Sequence, residues 1–145
     1  MPIGDILGTP KILLVEDNEA DRDIAKELLE SFDYLVDCVG TGEEAVTACS
    51  VAQYAAVLMD LTLPRMDGFE TTRRLRELGK RTGKYIPVIA LTGRTESEDR
   101  ASGTAVGMDD FLNKPFEPEH LRRVLLRILY SPDQPNLKLL KGYQV

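Results

Sequence analysis

Residues Lys11 to Asn18 read KILLVEDN, a five-residue run that is mostly apolar and is cut off by two acids and an asparagine. A run this short, ending this sharply, fits a strand buried on both faces better than a helix. The pattern then turns helical: Ile24, Ala25, Leu28, Leu29 and Phe32 recur at helical spacing with charged residues between them, predicting an amphipathic helix from about Glu19 to Phe32. Leu35 to Val39 is a second strand, and Asp37 within it suits an edge. Thr41 with Glu44 is a capping box opening a helix to about Ala52, and Ala55 to Met59 is a third apolar run, ending at Asp60.

The alternation continues to Tyr130. Pro64 and Asp67-Gly68 precede a helix predicted over Phe69 to Leu78, and Gly79 to Pro87 reads as a polar connection. Val88 to Leu91 is strand four. Thr95 with Glu98 repeats the capping-box spacing for a helix that ends near Gly107. Phe111 and Leu112 mark strand five, and Glu117 to Tyr130 is the last helix, with Leu121, Val124, Leu125 and Ile128 on its inner face. On its other side, Leu126 and Tyr130 are expected to project among Arg122, Arg123 and Arg127 as a partner surface. Strands alternating with helices long enough to serve as crossovers define an α/β domain with a mainly parallel sheet and helices on both faces. The expected organisation is an N-terminal extension over 1–10, one domain over 11–130 and a tail or linker over 131–145.

Composition agrees with a single domain: 145 residues, 43% apolar and 29% charged. Eighteen Lys and Arg against 24 Asp and Glu leave a net charge of −6, which disfavours direct binding of nucleic acid. Two cysteines, Cys38 and Cys49, are too few for a disulfide framework and read as small core residues. No apolar run is long enough to span a membrane and no leader pattern opens the chain, so a cytoplasmic protein is expected. His120 beside Glu119, away from the strand ends, reads as an ordinary surface residue, and Arg73, Arg74 and Arg76 as a solvated helix face.

In doubly wound sheets, ligands sit beyond the carboxyl ends of the strands. Those ends carry Glu16-Asp17, Asp60, Thr92 and, after strand five, Lys114. Three crowded carboxylates resist ionisation unless a cation joins them, and an all-oxygen donor set selects a hard ion such as Mg²⁺. Lys114 and the Thr92 hydroxyl can hold phosphoryl oxygens. Asp60, central among the strand ends, is the expected nucleophile, forming an aspartyl phosphate.

Four segments, LLVEDN (13–18), MDLTLPRMDG (59–68), ALTG (90–93) and GMDDFLNKPF (107–116), resemble the response-regulator receiver domain of two-component phosphorelays over about Lys11 to Tyr130. The resemblance implies a flavodoxin-like sheet of order 2-1-3-4-5. It also implies Asp60 as phosphoacceptor, Asp17 as a direct Mg²⁺ ligand, Glu16 holding the metal through water, and the Thr62 carbonyl completing the protein ligands. Thr92 and Lys114 would contact the phosphoryl group, Thr92 and Phe111 would form the switch, and Lys114-Pro115 would be a cis peptide. Thr62 and Arg94 stand at positions that in this family flank the path of attacking water, so they are expected to modulate dephosphorylation. The implied partners are a sensor histidine kinase or histidine phosphotransfer protein and a downstream protein target, with a phosphorylation-linked dimer compatible with that role.

The resemblance implies a phosphorylation switch rather than a conventional enzyme. A Mg²⁺-dependent aspartate-nucleophile phosphohydrolase would carry a second Asp two residues after the nucleophile, where this chain has Thr62. A flavodoxin would carry a phosphate loop where this chain has Glu16 to Glu19.

Overall fold

A computed structural model describes residues 9–93 and 97–130, with the side chains of 97 and 98 left aside. Five strands alternate with five helices: β1 (Lys11–Val15), α1 (Glu19–Ser31), β2 (Leu35–Val39), α2 (Gly42–Val51), β3 (Ala56–Asp60), α3 (Gly68–Thr82), β4 (Val88–Thr92), α4 (Ser97–Val106), β5 (Asp110–Asn113) and α5 (Pro118–Leu129). The strands form one sheet in the order β2-β1-β3-β4-β5, and every neighbouring pair is parallel, as helical crossovers require.

Burial explains the strand sequences. In β3 and β4 every residue is buried, and in β1 all but Lys11, so these central strands are almost wholly apolar. The edge strand β2 leaves Leu35 half exposed, and its Asp37 carboxylate accepts a 2.7 Å hydrogen bond from the Tyr54 hydroxyl. One apolar layer joins Ile12, Leu14, Leu58 and Ile89 to α1 and α5, and the other joins Leu13, Val57, Met59 and Val88 to residues of α2 and α3.

Three helix starts are fixed by side chains at the end of the sheet where the strands finish. Asn18, Thr41 and Asp67 accept from the backbone N–H groups of Asp21, Glu44 and Glu70 at 2.9, 3.1 and 2.9 Å. The Thr41–Glu44 pair departs from a reciprocal capping box. The Thr41 hydroxyl donates to Glu44 Oε1 at 3.0 Å, so the carboxylate is engaged by the side chain rather than the backbone of Thr41.

Several expectations need correction. Helix α3 does not stop at Leu78: it runs through Gly79 to Thr82 and ends on Gly83 at φ 74°. A Cβ on Gly79 would lie 2.5 Å from the Lys84 carbonyl, so this glycine admits the returning chain instead of breaking the helix. Ile24, expected inward, is 64% exposed. It sits about 90° round the helix from the stripe centred on Ala25, Leu28, Leu29 and Phe32, which places it on the shoulder. Tyr130 packs against the core layer beside α5, leaving Leu126 as the exposed member of its pair. Arg76 is no solvated residue: its side chain is 17% exposed and fully engaged in hydrogen bonds. Arg94 and the Thr95 cap lie outside the described residues.

Candidate functional site

The ends of β1 and β3 bring three acids together. Glu16, Asp17 and Asp60 each offer a carboxylate oxygen, and these atoms lie within 4.8 Å of one another. Glu16 and Asp60 are 2% and 3% exposed, whereas Asp17 faces solvent. Burial of acids on this scale is costly unless they are hydrogen-bonded and compensated.

The compensation is local. Asp60 Oδ1 accepts from both the backbone N–H and the hydroxyl of Thr62, each at 3.0 Å. Glu16 Oε2 accepts from the Asn18 N–H at 3.2 Å. Lys114 reaches in from beyond β5: its ammonium donates to Glu16 Oε1 and lies 3.5 Å from Asp60 Oδ2 and 3.8 Å from Asp21 Oδ2. The Lys114 N–H is itself held by the Thr92 carbonyl at 2.7 Å, and the Lys114–Pro115 peptide is cis.

Burial, followed by the hydrogen bond with Asp60, pushes the Glu16 carboxyl up to about 7. Burial also acts to raise Asp60, but its hydrogen bonds with Glu16 and Thr62 and the charge of Lys114 bring it below the ordinary carboxylate value. Of the buried pair, Asp60 therefore ionises first and Glu16 last. Burial acts to lower Lys114, yet the facing carboxylates of Glu16, Asp60 and Asp21 hold it above its ordinary value, fully charged. Three clustered acids facing one ammonium leave negative charge uncompensated when ionised. With oxygen as the only donor atom, the cluster fits a hard divalent cation.

Gly68 is what allows α3 to begin against this cluster. A Cβ there would stand 2.5 Å from the Asp60 carbonyl oxygen and 3.0 Å from Leu61 Cα. Thr92, 6% exposed, ends β4 on the strand beside Asp60. Phe111 is 7% exposed and pairs in register with Ala90, so it belongs to the apolar layer under α4 rather than to the acid cluster. Glu16, Asp17, Asp60, Thr62 and Lys114 thus converge directly, with Thr92 adjacent and Phe111 one layer away. Sequence reasoning missed Asp21 and Arg22. Both lie in the first turn of α1, one on Lys114 and the other donating to the Glu16 carbonyl at 3.4 Å. Asp21 carries no local signal, since its partner Lys114 is 93 residues away in sequence.

Residues 12–126 match the family described as response regulator receiver domain, and the chain belongs to that family. It is a phosphorylation-switch domain of two-component signalling. It is 38% identical over 116 residues to hybrid signal transduction histidine kinase B of Dictyostelium discoideum, covering 74% of this chain and 6% of that protein. It is 37% identical over 118 residues to the transcriptional regulatory protein ResD of Bacillus subtilis, covering 81% of this chain and 46% of that one. The chain thus spans well under two thirds of these relatives. Among solved structures, the receiver domain of sensor histidine kinase PA1611 from Pseudomonas aeruginosa, with a magnesium ion coordinated in its active-site cleft, is 39% identical. Its TM-score is 0.76, with 86% of this chain and all of that chain covered. The chemotaxis protein CheY4 of Vibrio cholerae is 31% identical with a TM-score of 0.78, covering 84% of this chain and all of that chain. Among the described residues no helix is long and apolar enough to cross a membrane.

Proposed function

We propose that Asp60 accepts a phosphoryl group from a phosphohistidine of a histidine kinase or histidine phosphotransfer protein and that the resulting acyl phosphate changes the affinity of the domain for a downstream protein. The observation that carries this reading is the packing of three carboxylates within 4.8 Å of one another beside the Lys114 ammonium. An Asp60 oxygen attacks phosphorus, the phosphorus–nitrogen bond breaks, and the imidazole leaves and takes a proton.

Glu16, Asp17, Asp60 and the Thr62 carbonyl would hold Mg²⁺, the ion named for the similar Pseudomonas domain. Bound there, the ion would neutralise the charge that builds on the equatorial phosphoryl oxygens. Lys114, already 3.5 Å from Asp60 Oδ2, would hold one phosphoryl oxygen, and the Thr92 hydroxyl another. Thr92 and Phe111 would pass the change to α4. Thr62, whose hydroxyl is spent on Asp60 Oδ1, offers no carboxyl to activate water, which disfavours a phosphohydrolase. Thr62 and Arg94 would instead set the lifetime of the phosphoryl group.

Profiling against a panel of phosphorylated histidine phosphotransfer proteins and kinases, with Mg²⁺, tests the reading. Transfer of label from at least one donor to the wild-type chain and none to Asp60→Asn is expected. Transfer to Asp60→Asn at the wild-type rate would contradict it.

A further inference from the structure

We infer that the end of the sheet opposite Asp60 carries a docking groove for an acidic peptide segment of a partner protein, which would seat an apolar side chain between α2 and α3 and its carboxylates on Lys80 and Lys84.

The groove is made of two adjoining hollows. The first, about 350 Å³, opens between the last turns of α2 and α3, where Tyr54 leads into β3 and Ile86 into β4. Because β3 and β4 are parallel, this is the end where both begin, and Asp60 lies a strand length away, about 16 Å. Cys49, Tyr54, Leu75, Leu78 and Ile86 form an apolar floor. The second hollow, about 460 Å³, shares Gly79, Gly83, Lys84 and Tyr85 with the first and adds Lys80. A Cβ on Gly83 would meet nothing within 4 Å, so the missing side chain keeps the joint between the hollows open.

The rim is apolar as well as the floor. Five large apolar residues are exposed among the described residues, and two of them, Val51 at 80% and Tyr85 at 43%, line the first hollow. Both tyrosine hydroxyls are spent elsewhere, Tyr54 donating to Asp37 at 2.7 Å and Tyr85 to Asp109, so it is ring surface that remains for the hollow. An exposed apolar rim over an apolar floor is the build of an anchor pocket.

Charge sets the sign of the occupant. The chain has 24 acids and a net charge of −6, yet among the described residues no carboxylate lines either hollow. Lys80 and Lys84 line the groove and are exposed, with Arg81 next to Lys80 in the chain. None of the three makes an ion pair among the described residues, even with Glu77 one turn back, whereas Lys26, Arg73 and Arg74 are each paired with a glutamate. Asp109, which reaches Tyr85, is already neutralised by Arg76. The negative end of the α3 dipole accounts for Lys80 and Arg81 in the last turn, but not for Lys84, which follows the Gly83 cap and lines both hollows. A positive edge beside an apolar pit complements an acidic stretch built around one aliphatic or aromatic residue. A bilayer surface would meet the rim and leave the pit between the helices unfilled, so the shape favours a peptide over an anionic membrane.

The test is fluorescence polarisation with a panel of short labelled peptides, each with a central Leu, Ile, Phe or Tyr flanked by Asp and Glu. Matched peptides carry Asn and Gln for the acids, or Gly at the centre. At least one acidic peptide should bind wild type with a dissociation constant below about 100 μM, and its matched forms at least about tenfold more weakly. Lys80→Glu/Lys84→Glu and Val51→Glu should each weaken it at least about tenfold, while Arg122→Glu/Arg123→Glu, an equal charge reversal on the exposed face of α5, should not. Backbone amide shifts should map to 49–54 and 78–86, and Asp60→Asn should bind as wild type does. The substituted side chains are exposed, and where a reversal variant does not fold, Lys80→Ala/Lys84→Ala carries the comparison. Lysines that serve only the helix dipole would change stability and leave no peptide binding to lose. Absence of binding across the panel, equal binding of the amide-matched peptides, or shifts that map to α5 would overturn the groove. So would binding to vesicles of phosphatidylserine and phosphatidylcholine that Lys80→Glu/Lys84→Glu abolishes while no peptide binds, which assigns the surface to a membrane.

Discussion

Asp60 Oδ2 lies 3.5 Å from Lys114 Nζ, while Asp60 Oδ1 is taken up by two donors from Thr62. The carboxylate thus has one oxygen fixed by its own loop and the other turned to the cation.

Replacing that cation separates its two roles. In Lys114→Met the acids lose their competing ammonium, so calorimetric titration should show Mg²⁺ binding strengthened several-fold. Labelling by acetyl phosphate should fall by roughly 10²-fold, as expected on removing one donor aimed at developing charge. Parallel changes of the two quantities would contradict the assignment of Lys114 to the phosphoryl group.

Glu16 makes the metal-free protein sensitive to pH. Its carboxyl is raised from the ordinary 4.5 to about 7 by burial and Asp60, so folding takes up a proton between those values. Stability is therefore fullest near the unfolded value and is lost as pH rises through 7, by on the order of 1–3 kcal/mol. Urea unfolding at pH 5.5 and pH 8 should show this loss in wild type and little of it in Glu16→Gln. Mg²⁺ reverses the slope, because Glu16 must be ionised to help hold the ion through water: affinity should climb from pH 6 to pH 8.

The strand ends were legible because four of the five apolar runs stop at a polar residue in sequence, so Glu16, Asp17, Asp60, Thr92 and Lys114 could be placed at one edge. What stayed hidden depends on contacts between distant residues. Arg76 looked like one cation of a helix face because its partners Gly107 and Asp109 are 31 and 33 residues away. Gly79 carries the same signal as a helix stop, and only its closeness to Lys84 shows that it lies inside α3. Ile24 fits the helical period but falls on the shoulder of the stripe, where burial depends on a neighbour that periodicity does not reveal.

Gly68 joins the fold to the site. Gly68→Ala sets a Cβ against the Asp60 backbone, at 2.5 Å from its oxygen, and should cost about 2–4 kcal/mol in urea unfolding. Mg²⁺ affinity should weaken as well, since Asp60 must shift. Gly40→Ala, whose Cβ would meet nothing nearer than 3.9 Å, should stay within about 0.5 kcal/mol of wild type. Equal effects of the two substitutions would contradict the close approach of α3 to β3.

Asp17 faces solvent beside two buried acids, so it can meet an incoming cation without prior rearrangement. Asp17→Asn should weaken Mg²⁺ binding at least about tenfold, whereas Cys49→Ala, on α2 away from the strand ends, should leave it nearly unchanged. A metal titration of both variants separates a specific ligand from a general loss of stability.

The phosphoacceptor itself is tested most directly by intact-protein mass spectrometry after incubation with Mg²⁺ and acetyl phosphate. Wild type should gain one phosphoryl group that hydroxylamine removes, as an acyl phosphate must be, and Asp60→Asn should gain none because an amide is no nucleophilic carboxylate. Full labelling of Asp60→Asn, at a site resistant to hydroxylamine, would contradict the account.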